Sequence, residues 1–273
     1  MYTRFLALIA ITVLLGADRA RAEYGRTTDT QIDPSVVMID EDSYLGAKVD
    51  PGYRFLAFDG REFTMGDMLG RPLVLILSYF DCDGACPTIN SGLRKTLKGV
   101  EGYALGADYS VLTVSFDAED TKDDIGMFEK KAGIGAAERG DWRVAVMKDP
   151  ADIERLTGSV GFKFFWSKRD KLFVHSSVYI FLSPEGRVTR YLYSAMAGPR
   201  DVEVAIAEAG FGNPGKSKVK DLTDLLLVAC YSYNFKEGRY TLNYPLFIAT
   251  GSLAGGLALI GLSIVISKKK ARR

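Results

Sequence analysis

Histidine and cysteine are scarce in this chain. Its 273 residues include one histidine and three cysteines. Three cysteines are too few for the disulfide framework that holds small secreted folds together, so the fold must depend on a hydrophobic core. The apolar share of 47% is sufficient for such a core. The cysteines are therefore available for chemistry.

An excess of charge of one sign is also missing. The formal net charge is +1, and the only dense basic run is residues 268–273 at the C-terminus. A nucleic-acid partner would require a clustered basic face on the folded domain. The composition therefore predicts no nucleic-acid partner.

The N-terminus has the features of a secretory signal. Arg4 precedes an apolar stretch at 5–17, and Ala20-Arg21-Ala22 has the small-x-small pattern of a cleavage site. We predict a signal peptide at 1–22. An uncleaved anchor is the alternative, because Asp18 and Arg19 crowd the cleavage region.

The C-terminus has the features of a membrane anchor. Residues 246–266 contain no charged side chain and, as a helix, are long enough to cross about 30 Å of hydrocarbon. The basic tail 267–273 follows, and positive charge stays on the cytoplasmic side. We therefore predict a single span in the cytoplasmic (inner) membrane, a cytoplasmic C-terminus and a main domain in the periplasm.

Between the two ends, strand and helix patterns alternate. We predict an extended leader at 23–48, a domain at 49–210, and a linker with a juxtamembrane segment at 211–245. The predicted strands are 53–58, 61–64, 72–80, 109–116, 142–147, 172–182 and 188–193, and the predicted helices are 88–97, 121–131, 150–157, 201–209 and, near the membrane, 222–231. This order predicts an α/β thioredoxin-like domain with a mixed sheet.

Two cysteines lie where the strongest predicted strand turns into a helix. Three residues lie between Cys82 and Cys86 there, so both sulfurs can face one point, and a helix N-terminus should lower thiol pKa values. Asp81 and Asp83 partly oppose that shift but would attract a cation. A plain disulfide or two packed thiols is the alternative.

The single histidine, His175, begins the predicted strand 172–182. In a thioredoxin-like fold, this part of the chain passes close to the cysteine turn. Two thiolates and an imidazole form a soft ligand set that suits copper. A closed structural zinc site would need a fourth protein ligand, and the chain has no second histidine. We therefore predict a copper site at Cys82, Cys86 and His175.

A thiol-disulfide oxidoreductase is the main alternative, since Cys82 and Cys86 could cycle between dithiol and disulfide. Such enzymes usually place a cis-proline opposite the active cysteines. Here the corresponding stretch, 173–177, contains the histidine and no proline, which favours metal binding. A redox-sensing module is the third candidate function.

Three segments together resemble the Sco/SenC family of copper-binding proteins, which help to assemble the CuA centre of cytochrome c oxidase. They are YFDCDGACPTINSGL, SFDAEDT and HSSVYIFLSPEGRVTRYLY, within a likeness that spans 53–209. The resemblance implies that Cys82, Cys86 and His175 are the copper ligands. It also implies a metallochaperone without enzymatic turnover, an oxidase subunit carrying the CuA site as partner, and a thioredoxin-type reductant. The tail resembles a bacterial branch anchored at its C-terminus.

The chain departs from the family pattern in two informative places. Many relatives have an aspartate before the histidine, where this chain has Val174, so the hydrogen bond that orients the imidazole is either missing or supplied by another group. The segment 117–121 is one residue shorter than the commoner form, and we assign no role to its carboxylates. Outside these motifs, we expect Cys230 to be a half-buried structural thiol.

Overall fold

The computed structural model describes residues 37–82, 85–211, 227–234 and 239–271. The predicted signal peptide at 1–22 lies outside the described residues, as do most of the predicted leader and most of the linker. Those assignments remain predictions.

A seven-stranded mixed sheet forms the centre of the domain. The strands up to residue 193 are β1 (Arg54–Ala57), β2 (Glu62–Thr64), β3 (Leu73–Ser78), β4 (Ser110–Ser115), β5 (Trp142–Met147), β6 (Phe164–Ser167), β7 (Leu172–His175), β8 (Val178–Leu182) and β9 (Val188–Tyr193). The order in the large sheet is β2-β1-β5-β4-β3-β8-β9, while β6 and β7 pair only with each other.

The middle of the sheet is parallel, because β3, β4 and β5 run in the same direction, and the strands outside them are antiparallel. Every residue of β3 and β4 is buried. Continuous apolar runs belong in strands that are covered on both faces, which is why these strands could be predicted. The predicted α/β thioredoxin-like fold with a mixed sheet is confirmed.

The helices are α1 (Glu41–Tyr44), α2 (Ala85–Leu97), α3 (Lys122–Ala132), α4 (Asp152–Ser159), α5 (Pro199–Gly210) and α6 (Tyr244–Ala271). Short 3₁₀ turns occupy Gly66–Met68 and Ala136–Glu138. Local chemistry sets both ends of α3. A capping box joins Thr121 to Asp124 at its start, and Gly133 ends it with a φ of 74°, a backbone conformation that favours glycine.

The predicted strand 172–182 is wrong in one respect, because it is two strands. The chain changes partner at Ser176 and Ser177. Before them β7 pairs with β6, and after them β8 joins the large sheet. The Ser176 hydroxyl donates a hydrogen bond to the carbonyl of Val37, and the Ser177 carbonyl accepts one from the amide of Ser194. These bonds replace the ladder bonds of a continuous strand.

The described end of the predicted leader, 37–48, is structured rather than extended. It contains α1, and Ile39 and Glu41 are buried there. Burial raises the pKa of Glu41 to about 7, although hydrogen bonds and Arg190 oppose that shift. This segment is therefore part of the domain.

The juxtamembrane segment agrees in part with the prediction. Within the predicted helix 222–231, residues 227–230 are helical, and 222–226 lie outside the described residues. A hairpin of β10 (Tyr231–Asn234) and β11 (Arg239–Leu242), which was not predicted, follows. The Tyr233 hydroxyl donates to the Tyr191 carbonyl at 2.6 Å, and the Tyr240 amide donates to an Asp201 carboxylate oxygen at 2.8 Å. These two bonds hold the hairpin against the domain. Cys230 precedes it and is half-buried, as expected.

The C-terminal helix α6 follows this hairpin directly. It contains one segment, Tyr244–Leu262, that is long and apolar enough to cross a membrane, and that segment is not buried against the rest of the chain. The predicted apolar C-terminal helix is confirmed, with an earlier start than residue 246.

Candidate metal centre

Both cysteines of the predicted site lie beyond the C-terminal end of the central strand β3. Cys82 follows the strand after a short turn, and Cys86 is the second residue of α2. Both side chains are buried, and no disulfide joins them. A hydrogen bond joins the two cysteine side chains, and another joins Cys82 to Tyr79. The C-x-x-x-C spacing therefore brings the two sulfurs together, as expected.

A buried polar network holds the first turn of α2 in place. The Asn90 side-chain amide donates to the Cys86 carbonyl at 2.9 Å and to the Ser78 hydroxyl at 3.0 Å. Its carbonyl oxygen accepts from Thr113 at 2.7 Å, and Thr113 accepts from the Trp142 ring nitrogen at 3.0 Å. Because every link is buried and satisfied, the network fixes Cys86 relative to strands β3, β4 and β5.

His175 lies at the end of β7, beside Cys86. Its Nε2 atom is 3.5 Å from Cys86 Sγ, and its Nδ1 atom is 2.9 Å from the Ser176 carbonyl oxygen. A carbonyl only accepts, so Nδ1 carries the proton and Nε2 presents its lone pair toward the sulfur. The Ser176 carbonyl thus provides the orienting hydrogen bond that Val174 cannot.

Aromatic rings surround the imidazole. Its centroid lies 5.1 Å from that of Phe116, 5.8 Å from that of Phe162 and 6.2 Å from that of Tyr79. Burial lowers the pKa of His175, and the hydrogen bond to Ser176 only partly opposes this. The ring is therefore held neutral, which is the form that ligates metals.

The separation of Cys86 Sγ and His175 Nε2 suits a shared metal ion. With metal–sulfur and metal–nitrogen bonds of about 2.3 and 2.0 Å, and an angle of about 110° between them, the two ligand atoms would lie about 3.5 Å apart. The observed distance is 3.5 Å. These two atoms are thus spaced as adjacent ligands of one ion.

Cys82, the third predicted ligand, lies next to Cys86, but its position does not complete a three-ligand group with Cys86 and His175. In the described parts of the chain, no three histidine, cysteine, aspartate or glutamate side chains form a group that could hold an ion as they stand. Cys82 is in hydrogen-bond contact with Cys86 and Tyr79. The structure therefore brings Cys82 next to a preformed Cys86–His175 pair.

The expected lowering of thiol pKa values by the helix N-terminus is wrong for Cys86. Its hydrogen bond to Cys82 and its burial raise the pKa of the Cys86 thiol well above the usual range. The helix dipole contributes less than 2 kcal/mol even in favourable sites, whereas burial of a thiolate costs more. Cys86 is accordingly a protonated thiol at neutral pH.

Asp120 also supports the site, a role that sequence reasoning missed. Its Oδ2 atom accepts hydrogen bonds from the Phe80 amide at 2.7 Å and from the Ser115 hydroxyl at 2.5 Å. Asp120 thereby ties the turn before Cys82 to the end of β4. Burial raises the pKa of Asp120, and these two hydrogen bonds oppose the shift. The SFDAEDT motif, which contains Asp120, was the sequence feature that could have indicated this role.

Of the two other aspartates considered near the cysteines, Asp81 is exposed, and Asp83 lies outside the described residues.

The family model described as SCO1/SenC matches residues 41–209 of the chain. Its first residue coincides with the start of α1, in agreement with the structured segment found there. No curated protein is significantly similar to the chain.

Several solved structures are similar to the domain. One is a protein of Aquifex aeolicus VF5 with a provisional assignment to electron transfer, at 29% identity and a TM-score of 0.57 over 63% of this chain and 97% of that one. Another is a SCO1/SenC family lipoprotein from Bacillus anthracis, at 16% identity and a TM-score of 0.51 over 59% of this chain and 94% of that one.

A third is BsSco, described as a member of the Sco family of cytochrome c oxidase assembly proteins with a disulfide switch. It is 17% identical, with a TM-score of 0.51 over 62% of this chain and 96% of that one. At such low identity, this structure and the one from Bacillus anthracis show a shared fold.

Proposed function

This chain belongs to the SCO1/SenC family, and we propose that it is a copper metallochaperone that holds one copper ion with Cys82, Cys86 and His175. The observation that carries this proposal is the pair formed by the Cys86 sulfur and the His175 Nε2 lone pair, 3.5 Å apart. The recipient would be the oxidase subunit that carries the CuA site. Membership of BsSco in a family of oxidase assembly proteins supports that choice of partner.

Loading would require a small rearrangement of Cys82. Its sulfur would leave its hydrogen bonds to Tyr79 and Cys86 and turn toward the Cys86–His175 pair. Copper binds thiolates, so each cysteine would release its proton on binding. Both thiols must therefore be reduced, and a thioredoxin-type reductant would keep them so.

Three protein ligands would leave a coordination position open. An incoming thiolate of the recipient could occupy it before the bonds to this protein break, so the copper would pass by ligand exchange. The soft donor set suits copper, and the aromatic rings around His175 keep water from the imidazole side. This chemistry is delivery rather than enzymatic turnover.

A membrane-tethered thiol-disulfide oxidoreductase is the second candidate. The direct contact between the two thiols favours it, since Cys82 and Cys86 can close a disulfide while two electrons and two protons pass to the oxidase disulfide that is reduced. His175 stands in the stretch 173–177, where such enzymes usually have a cis-proline, and this counts against thiol exchange.

We place the protein in the cytoplasmic (inner) membrane, with α6 as a single span, the domain in the periplasm and the basic tail in the cytoplasm. The apolar segment Tyr244–Leu262 supports the span. The run of lysine and arginine that follows supports the orientation.

Copper analysis of the reduced full-length protein in detergent separates the two candidates. We expect about one copper per chain after loading and desalting, because three soft ligands bind tightly. We also expect little reduction of an insulin-type disulfide substrate, because the stretch 173–177 has histidine and no proline. Substoichiometric copper together with full disulfide reductase activity would instead support the oxidoreductase.

A further inference from the structure

The hairpin of β6 and β7, residues 164–175, stands apart from the large sheet. It has two strands, which pair only with each other among the described residues. Its turn contains Lys171 with a φ of 52°, unusual for a residue other than glycine. An isolated hairpin is marginally stable by itself, so this one depends on packing at its base.

The hairpin exposes large apolar side chains. The exposed fractions are 36% for Phe165, 48% for Trp166 and 40% for Leu172. Tryptophan and phenylalanine are enriched at the centres of protein interfaces, where their burial contributes much of the binding energy. Cross-strand partners share a face of a hairpin, so Trp166 lies on the face of Phe173 and His175, whereas Phe165 and Leu172 lie on the opposite face. We call Trp166, with the charged residues described next, the hairpin patch.

Positive charge borders these apolar side chains. Lys163, Lys168, Arg169 and Lys171 are exposed on the hairpin or beside it, and Asp170 is the one acidic residue within 163–172. This short segment therefore carries a net charge of +3, while the entire chain carries +1. The hairpin patch is thus complementary to a surface with an apolar centre and surrounding carboxylates.

The hairpin patch is joined to the candidate metal centre. His175 pairs with Phe164 at the base of the hairpin, and Trp166 pairs with Phe173 nearer the tip. The Trp166 and Phe173 ring centroids are 4.9 Å apart, and Phe173 lies 5.2 Å from Tyr79, the hydrogen-bond partner of Cys82. A surface that covers the hairpin patch would therefore lie directly beside the imidazole.

We propose that the hairpin patch is the docking surface for an acidic face of the copper-receiving oxidase domain. This inference rests on the proposed function, because ligand exchange requires the recipient's ligands to reach the open coordination position beside His175. A bilayer on the hairpin patch would cover that position. A protein partner therefore fits the placement better than a membrane surface.

The test uses full-length, copper-loaded protein in detergent and, as the probe, the purified soluble domain of the oxidase subunit with an empty CuA site. The variants are Trp166→Ala and the triple reversal Lys168→Glu, Arg169→Glu, Lys171→Glu. The control is the double reversal Lys95→Glu, Lys98→Glu. Both control lysines are exposed at the far end of α2, about 15 Å along the helix from Cys86.

We expect both hairpin variants to slow copper transfer at least about tenfold, because one removes an aromatic anchor and the other removes electrostatic steering. The salt dependence of transfer should flatten in the triple reversal. The control should stay within about twofold of the original protein. Copper loading should be unchanged in all three variants. If the proposed function were wrong, the original protein would also fail to load copper. Failure of the proposed function can therefore be distinguished from failure of this inference.

Equal slowing by the hairpin and control reversals would overturn the proposal, because it would show only a general charge effect. Unchanged transfer in both hairpin variants would overturn it too. A third contrary outcome is hairpin-dependent binding to vesicles of anionic phospholipid with transfer unaffected, which would assign the hairpin patch to the membrane.

Discussion

Replacement of His175 with phenylalanine is expected to lower the copper affinity at least ~100-fold and to leave the Cys82–Cys86 pair able to form a disulfide. Loss of groups that only orient a ligand already costs 10- to 100-fold in metal affinity, so loss of the ligand itself should cost at least the upper value. The chain has no other histidine that could substitute. Competition with a chelator for cuprous ion measures the affinity, and thiol titration after oxidation measures the disulfide.

Phenylalanine is chosen because the site is aromatic. The ring should keep the contacts that His175 makes with Phe116 and Phe162, so the variant should fold. His175→Ala should show the same copper loss with lower thermal stability, because it leaves a cavity among these rings. If the phenylalanine variant lost copper binding and disulfide formation equally, His175 would be a support of the fold and not a ligand.

Replacement of Cys86 with serine should abolish both properties. The hydroxyl is a hard donor with a much higher pKa than a thiol, so we expect the copper affinity to fall at least ~100-fold. The disulfide also becomes impossible, since Cys82 loses its neighbour. Copper stoichiometry and thiol titration on the same sample report both losses.

Cys230→Ser is the matched control, because this third thiol is half-buried and precedes the β10–β11 hairpin. It should retain both copper and disulfide formation. Wild-type copper content in Cys86→Ser would contradict the assignment of Cys86 as a ligand, and copper loss in Cys230→Ser would assign that thiol to the site.

The His175 and Cys86 substitutions both lower copper affinity, but only the Cys86 substitution removes the disulfide, which separates the roles of the two residues. His175 would serve copper alone, and Cys86 would serve copper and the thiol couple. The geometry explains the difference, because Cys86 contacts both Cys82 and the imidazole.

The sheet could be predicted because its central strands are encoded locally. The continuous apolar runs of β3 and β4 are typical of strands covered on both faces. The start of α3 follows from Thr121 and Asp124 in the same way. Here the local pattern and the tertiary environment agree.

The missed elements depend on distant partners. β6 has four residues, and its Phe164 packs against Phe116, which is far away in sequence. The β10–β11 hairpin is held by bonds to Tyr191 and Asp201 in the domain. Nothing in the local sequence distinguishes such segments from a loop or a helix end. Tertiary packing therefore determines that they form strands.

The features of the site also divide into those that the local sequence encodes and those that depend on distant partners. The C-x-x-x-C spacing and the order of strands were enough to bring Cys82, Cys86 and His175 into one region. The Asn90 network and the Ser176 carbonyl could not be predicted, because both depend on three-dimensional packing. The predicted direction of the Cys86 pKa shift was wrong for the same reason, since neither the hydrogen bond to Cys82 nor the burial that raises this pKa is visible in a motif.

X-ray absorption spectroscopy on the reduced, copper-loaded full-length protein tests the central claim most directly, because it counts the atoms bound to the ion. We predict two sulfur ligands at about 2.3 Å and one imidazole nitrogen at about 2.0 Å. A spectrum with sulfur ligands and no imidazole, or with a single sulfur, would contradict a site formed by Cys82, Cys86 and His175.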